Sequence, residues 1–195
     1  MTDLFDEGEG ATPLDPDERE GLKVSWVTFR RDLNQVEQDN IRKATVKAMK
    51  SLSSNLLSEV YLADLHRQMF GDVWTWAGKY RTTAKNIGVD AVQIPVELRR
   101  LLDDVKFWIE NETWQADENA IRFHHRLVQI HPWPNGNGRW ARLAADLLIR
   151  QLGGERFTWG RKSLGPSGEA RKAYIAALRV ADGHDVESLL EFARS

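Results

Sequence analysis

An all-α domain with a single small β-hairpin is the fold class this sequence predicts. From Arg31 onward, apolar residues recur at three-to-four spacing in one stretch after another, which is the signature of amphipathic helices. Several of these stretches are bounded by Ser, Pro or Gly. Only residues 82–94 carry a short extended pattern, and no internal repeat is present.

Residues 1–21 are rich in Gly, Pro and acid and have no apolar period, so they read as extended or disordered, part of a flexible leader reaching about residue 30. Leu33, Val36, Ile41, Ala44 and Ala48 then predict a helix from about Arg31 to Lys50. This N-terminal element, residues 31–52, precedes a main domain at 53–195. Ser53-Ser54 is expected to cap the next helix, about Leu56 to Met69, with Leu57, Val60, Tyr61, Leu65 and Met69 on one stripe. Trp74 and Trp76, in the aromatic-dense run Phe70 to Arg81, are expected to pack the core at a helix-to-loop junction. Ile87, Val89, Val92 and Ile94 around Gly88 and Asp90-Ala91 suggest an extended pair joined by a turn.

Pro95 suits the first position of a helix running to about Glu112. Asp117 opens another, with Ile121, Phe123, Leu127, Val128 and Ile130 on its buried side. Because Pro132 disfavours the α conformation in the residue before it, that helix is expected to stop at about Ile130 and leave His131 on an extended junction. A helix from Asn137 to Leu152 ends at Gly153-Gly154. After a loop containing Gly160, Gly165, Pro166 and Gly168, two helices close the chain, at about Glu169 to Ala181 and Val186 to Ala193.

At 195 residues, with eight Trp, seven Phe and a 42% hydrophobic share, the chain suits one well-buried core with an extension. No apolar run reaches the roughly 18 residues a membrane span needs. The N-terminus lacks the basic-then-apolar order of a signal peptide, and the absence of Cys excludes disulfides and thiolate metal sites. These features predict a soluble, cytoplasmic protein. The net charge of −2 hides a split: residues 1–20 hold eight acids against Arg19 alone, while the remainder holds 21 acids and 26 bases. A mildly basic body suits an anionic ligand but gives no argument for nucleic acid.

The stretch His131-Pro132-Trp133-Pro134-Asn135-Gly136-Asn137-Gly138-Arg139-Trp140-Ala141-Arg142 carries the chemistry. A helix start normally attracts Asp or Glu, because its free amides and dipole are partly positive; this one carries Arg139 and Arg142 and no acid. An anion is what such a start lacks. Gly136 and Gly138 allow a sharp turn and a close approach to bare amides, a nest for phosphate. Arg139 and Arg142, three apart, can both face it. His131, with an unperturbed pKa near 6.5, suits a general base. His124, His125 and His131 make a poor zinc set, since adjacent helical residues point about 100° apart and no His-Glu-x-x-His spacing is present.

His131 to Arg142 resembles the signature of the Fic domain family: His, a variable position, an aromatic, any residue, an acid or Asn, then Gly-Asn-Gly-Arg-x-x-Arg. Leu65-His66, Phe70 to Gly78 and Arg81 resemble the family's helix and turn before its flap, and Tyr174 to Leu178 with Ala181-Asp182 resemble its C-terminal helix. The resemblance spans about residues 50–195. It implies a Fic-type helical bundle that transfers AMP from ATP to a Ser, Thr or Tyr hydroxyl of a target protein, releasing pyrophosphate. His131 would take the hydroxyl proton. Gly136, the amide and side chain of Asn137, and Gly138 would hold the α- and β-phosphates, and Arg139 and Arg142 the outer ones. The target would dock on the flap hairpin around Ile87, Gly88, Val89 and Val92.

One position departs from the family's commoner acidic form, and one family pattern is missing. Asn135 stands where an acid would ligate Mg²⁺ and also helps line the phosphate site; its oxygen can coordinate but brings no charge. The family's inhibitory pattern, Ser or Thr, three residues, Glu, then Gly or Asn, has no match. Glu37 is the substitute by placement, and an antitoxin-like partner protein is the alternative brake. Transfer of UMP or of a phosphoryl group, and a non-catalytic nucleotide-binding role in a toxin–antitoxin pair, are the competing readings of the same pocket.

Overall fold

The computed structural model describes residues 13–160 and 168–195. The acids Asp3, Asp6, Glu7 and Glu9, and the Gly165-Pro166 part of the late loop, lie outside the described residues. In chain order the helices are α1 (Pro16–Arg19), α2 (Arg30–Lys50), α3 (Glu59–Phe70), α4 (Ile94–Glu110), α5 (Ala116–Ile130), α6 (Asn137–Gln151), α7 (Glu169–Ala181) and α8 (Glu187–Arg194). None of them is long and apolar enough to cross a membrane.

The centre is the pair α5 and α6. Ile121, Phe123, Leu127 and Ile130 on α5 and Ala141, Ala144 and Ala145 on α6 are all fully buried, and the two helices pack on each other. Removing each large apolar side chain from water contributes about 1.5–3 kcal/mol. Trp140 on α6 is fully buried, and its indole N–H donates to the Leu62 carbonyl of α3 at 3.0 Å, so its polar atom costs nothing there. Around this centre α2 packs on α3, α4 on α5, and α7 on α8. On α2 the buried stripe is Leu33, Glu37, Asn40, Ala44 and Ala48, apolar except for two residues. Asn40 donates to the Gln68 carbonyl at 2.9 Å and accepts from the Asp72 amide at 3.1 Å, which satisfies groups that the end of α3 leaves open.

Four local expectations give way. From Pro13 the leader is not extended throughout: α1 has Asp15 and Glu18 in a capping box, and the Lys23 amide donates to Val73 at 2.8 Å. Ser58, not Ser53-Ser54, caps α3, accepting from the Tyr61 amide at 3.2 Å; the Ser53 hydroxyl instead accepts from the Asn55 amide at 3.1 Å in the preceding turn. The predicted hairpin is absent. Residues 81–90 form bends without paired strands, followed by a 3-10 turn at Ala91–Gln93, because side chains rather than a strand ladder satisfy this backbone. His131 is not extended either: it sits at φ 53°, ψ 59°. Pro132 denies it the right-handed α region, as expected, and the left-handed region ends α5 instead.

Candidate functional site

The site is assembled where α5 ends and α6 begins. The first turn of α6 holds no acid. Its N-cap, Gly136, has φ 81°, and a Cβ there would lie 2.5 Å from the Phe70 ring, so only glycine takes the chain across that ring. Asn137 is buried, and its side chain accepts from the Trp133 amide at 2.9 Å and donates to the Trp133 carbonyl at 2.8 Å. With these two bonds the side chain closes the loop. What remains for an anion is the set of first-turn amides, which no carbonyl within the helix can reach. A Cβ on Gly138 would enter the space 3.6 Å from the Tyr174 hydroxyl and 3.7 Å from Arg142. Glycine leaves that space open.

His131 is 4% exposed. Burial, reinforced by the nearby Arg81 charge, pushes its pKa down to about 4. At neutral pH the ring is therefore neutral, with one N–H and one lone pair, the form a general base requires. Its backbone is held as well, since Arg81 Nε donates to the His131 carbonyl at 2.7 Å and the Arg81 amide to the Pro132 carbonyl at 2.9 Å.

The two motif arginines are treated differently. Arg139 pairs with buried Glu37 of α2 at 2.5 Å, donates to Asn135 Oδ1 at 3.2 Å and lies 4.8 Å from the Phe70 ring centroid. Arg142 lies 5.3 Å from the Tyr174 ring centroid, and among the described residues no carboxylate is within ion-pair distance of it. The Tyr174 hydroxyl bonds His124 Nε2 at 3.0 Å, so α5 and α7 together set where Arg142 stands. Among the described residues Arg142 is the motif arginine without a carboxylate partner.

Asn135 Oδ1 accepts from the Gly136 amide at 2.6 Å as well as from Arg139. A neutral oxygen already facing a guanidinium does not fit a dedicated Mg²⁺ ligand. Among the described residues no cluster of His, Cys, Asp or Glu could hold a metal. His124 belongs to the core, and His125 bonds Asp182 of the α7 C-terminus at 2.9 Å; the histidines do not converge.

Of the flap residues, Ile87 is 46% and Val92 81% exposed. Val89 is half-buried with its amide on the Ile130 carbonyl at 3.4 Å, an anchor more than a docking face. Sequence reasoning gave no role to His66 or Arg81. His66 is fully buried, accepts from the Gly78 amide at 2.9 Å through Nδ1, and reaches the Asn135 carbonyl at 3.1 Å through Nε2. Stacked on Trp133 at 4.6 Å, it fastens the motif loop to α3. Its signal was one polar side chain among Leu62, Leu65 and Met69 on a buried stripe.

Residues 56–149 match the Fic/DOC family. Protein adenylyltransferase fic-1 of Caenorhabditis briggsae is 29% identical over 156 residues, 74% of this chain and 29% of its own length; the chain thus spans less than a third of that relative. Two solved structures share the fold. The N-terminal Fic domain of a VirB-translocated Bep effector protein from Bartonella quintana aligns with a TM-score of 0.71 at 16% identity, over 91% of each chain. BepC from Bartonella tribocorum, with bound AMPPNP, aligns at 0.68 and 18% identity, over 92% of this chain and 97% of its own.

Proposed function

We propose, from the premise that residues 56–149 form a Fic/DOC family domain, that the chain transfers AMP from ATP to a Ser, Thr or Tyr hydroxyl of a target protein. The observation that carries this is the juxtaposition of a buried, neutral His131 with an acid-free helix start and with Arg142, which has no carboxylate partner among the described residues. Adenylyltransferase relatives and the AMPPNP held by BepC support ATP as the donor.

In this reading the triphosphate lies over the first turn of α6, with Arg142 and the amides around Gly138 taking its charge. His131 accepts the proton of the target hydroxyl as its oxygen bonds the α-phosphorus. The bond from the α-phosphorus to the bridging oxygen breaks, and pyrophosphate leaves with the electron pair. Positioning and charge supply most of the rate in such reactions. The exposed flap around Ile87, Gly88 and Val92 receives the target as an extended segment. Mg²⁺ belongs to the proposal only as a companion of the nucleotide, whose oxygens bring the charge Asn135 lacks; no step is routed through it.

Glu37 is proposed as an internal restraint. It neutralises Arg139, the first motif arginine. Incubating the chain and host proteins with ATP labelled at either the α- or the γ-phosphate tests the transfer. Label from the α position alone is expected on protein; label from the γ position would instead make it a kinase, and label from neither would leave a binding module.

A further inference from the structure

The flap has no strand pairing of its own, yet two cations fix its shape. From inside, Arg81 donates to the carbonyls of His131 at 2.7 Å, Thr83 at 2.8 Å, and Val89. From outside comes a contact that the site described above does not use. The Lys85 side chain is 2% exposed; its ammonium donates to Asp15 at 2.9 Å, to Glu18 at 2.5 Å and to the Pro13 carbonyl at 3.2 Å. An ammonium has three N–H bonds, and all three go to this one segment, which leaves none for a phosphate. Asp15 also accepts from the Thr83 hydroxyl at 2.6 Å.

The segment carrying these acids is itself tied down. Trp76 Nε1 donates to the Glu18 carbonyl at 3.0 Å, the Thr75 amide donates to Gly21 at 2.9 Å, and Leu22 bridges Trp74. Residues 13–22 thus run as a strap from the aromatic turn at 73–76 to the flap. The strap also bears on the charge around the base: Lys85 and Arg81 both act on His131 as positive charges, and the strap sets Asp15 and Glu18 against Lys85.

We propose that Asp15, Glu18 and Lys85 are positioning residues that fasten the flap to the N-terminal strap, holding residues 81–90 where they receive the target segment. This rests on the transfer reading above. The strap acts on target engagement and not on nucleotide binding, because among the described residues its hydrogen bonds run to the flap and to the turn at 73–76, away from the first turn of α6. A buried cation stripped of its partners is strongly unfavourable, so the flap and strap order together.

The test uses the full chain with Asp15→Asn, a mild change at a half-exposed side chain, and Lys85→Met, which removes the clamp. Hydrogen exchange of residues 82–90, KM for the target and KM for ATP are measured on each. Flap exchange is expected to accelerate about tenfold or more in Lys85→Met, and less in Asp15→Asn. KM for the target should rise in the same order while KM for ATP stays within about twofold. A wild-type chain that transfers no nucleotide overturns the reading on which the proposal rests. A wild-type chain that transfers, with both variants matching it in flap exchange and target KM, overturns the strap alone.

Discussion

Glu37 on α2 and Arg139 on α6, 102 positions apart in the chain, form an ion pair of 2.5 Å in which the other Glu37 oxygen accepts from the Trp74 indole at 2.7 Å. Burial would raise the pKa of this carboxyl, but the Arg139 guanidinium and the Trp74 hydrogen bond hold it below the usual range. Replacing Glu37 with Gln keeps the shape and removes the charge. Stability is expected to fall by about 1–3 kcal/mol, because a buried donor loses its acceptor. ATP affinity and transfer are expected to rise as Arg139 is released. Thermal melting and a transfer assay read the two effects; a fall in both would make Glu37 a tether and no restraint.

Arg142 and Arg139 should differ as phosphate ligands. Arg142→Ala removes the cation that has no carboxylate partner among the described residues, and nucleotide binding should weaken about 10- to 100-fold, as expected for a lost charge-assisted hydrogen bond of about 1.5–3 kcal/mol. Arg139→Ala also leaves Glu37 buried without its cation, so its larger effect should be on melting. Calorimetric titration of ATP against each variant checks the contrast; equal losses of affinity would remove the asymmetry.

Much of this site was legible because its signals are local. Arg139 and Arg142 at an acid-free helix start pointed to an anion before any contact was visible. The left-handed His131 was half legible, since Pro132 forbids one region without choosing the alternative. The flap was not legible because Ile87, Val89 and Val92 suggest strands, whereas the Arg81 side chain, and no partner strand, satisfies carbonyls of that backbone. Lys85 and its acids are 67 to 70 positions apart, and no periodicity encodes such a pairing. Glu37 was picked out by placement only; its partner came from packing.

His66 should matter for the shape of the motif loop. In His66→Phe the volume and the stack on Trp133 are kept, but the Gly78 amide and the Asn135 carbonyl lose their partner. Each lost hydrogen bond in a buried place costs roughly 1–3 kcal/mol. A melting point lower by several degrees is expected, as about 2–4 °C follows each kcal/mol in a chain of this size. An unchanged melting point would show that the ring serves only as filling.

Acid should destabilise the fold earlier than carboxylate titration alone predicts. Burial lowers His66 and His124 to about 3 and His131 to about 4, against roughly 6.5 in the unfolded chain. Between those values the unfolded state binds more protons, so stability rises with pH and falls as pH drops below about 6.5. Glu37, lowered in the fold, adds stability that is present above its unfolded pKa and lost as pH falls further. Denaturant midpoints between pH 8 and 4.5 check the sign; a midpoint constant over that range would contradict it. For the same reason the acid limb of kcat/KM should lie well below 6.5, near the pKa of about 4 of the free protein's His131.

The central claim is that His131 takes the proton from the incoming hydroxyl while the α-phosphate is transferred. It is tested most directly by following α-labelled ATP into protein with the wild-type chain and with His131→Ala, together with ATP binding by each. The account predicts that His131→Ala binds ATP about as well as wild type yet transfers label at least about 100-fold more slowly, the scale of general-base catalysis. Equal labelling by the two proteins would contradict it.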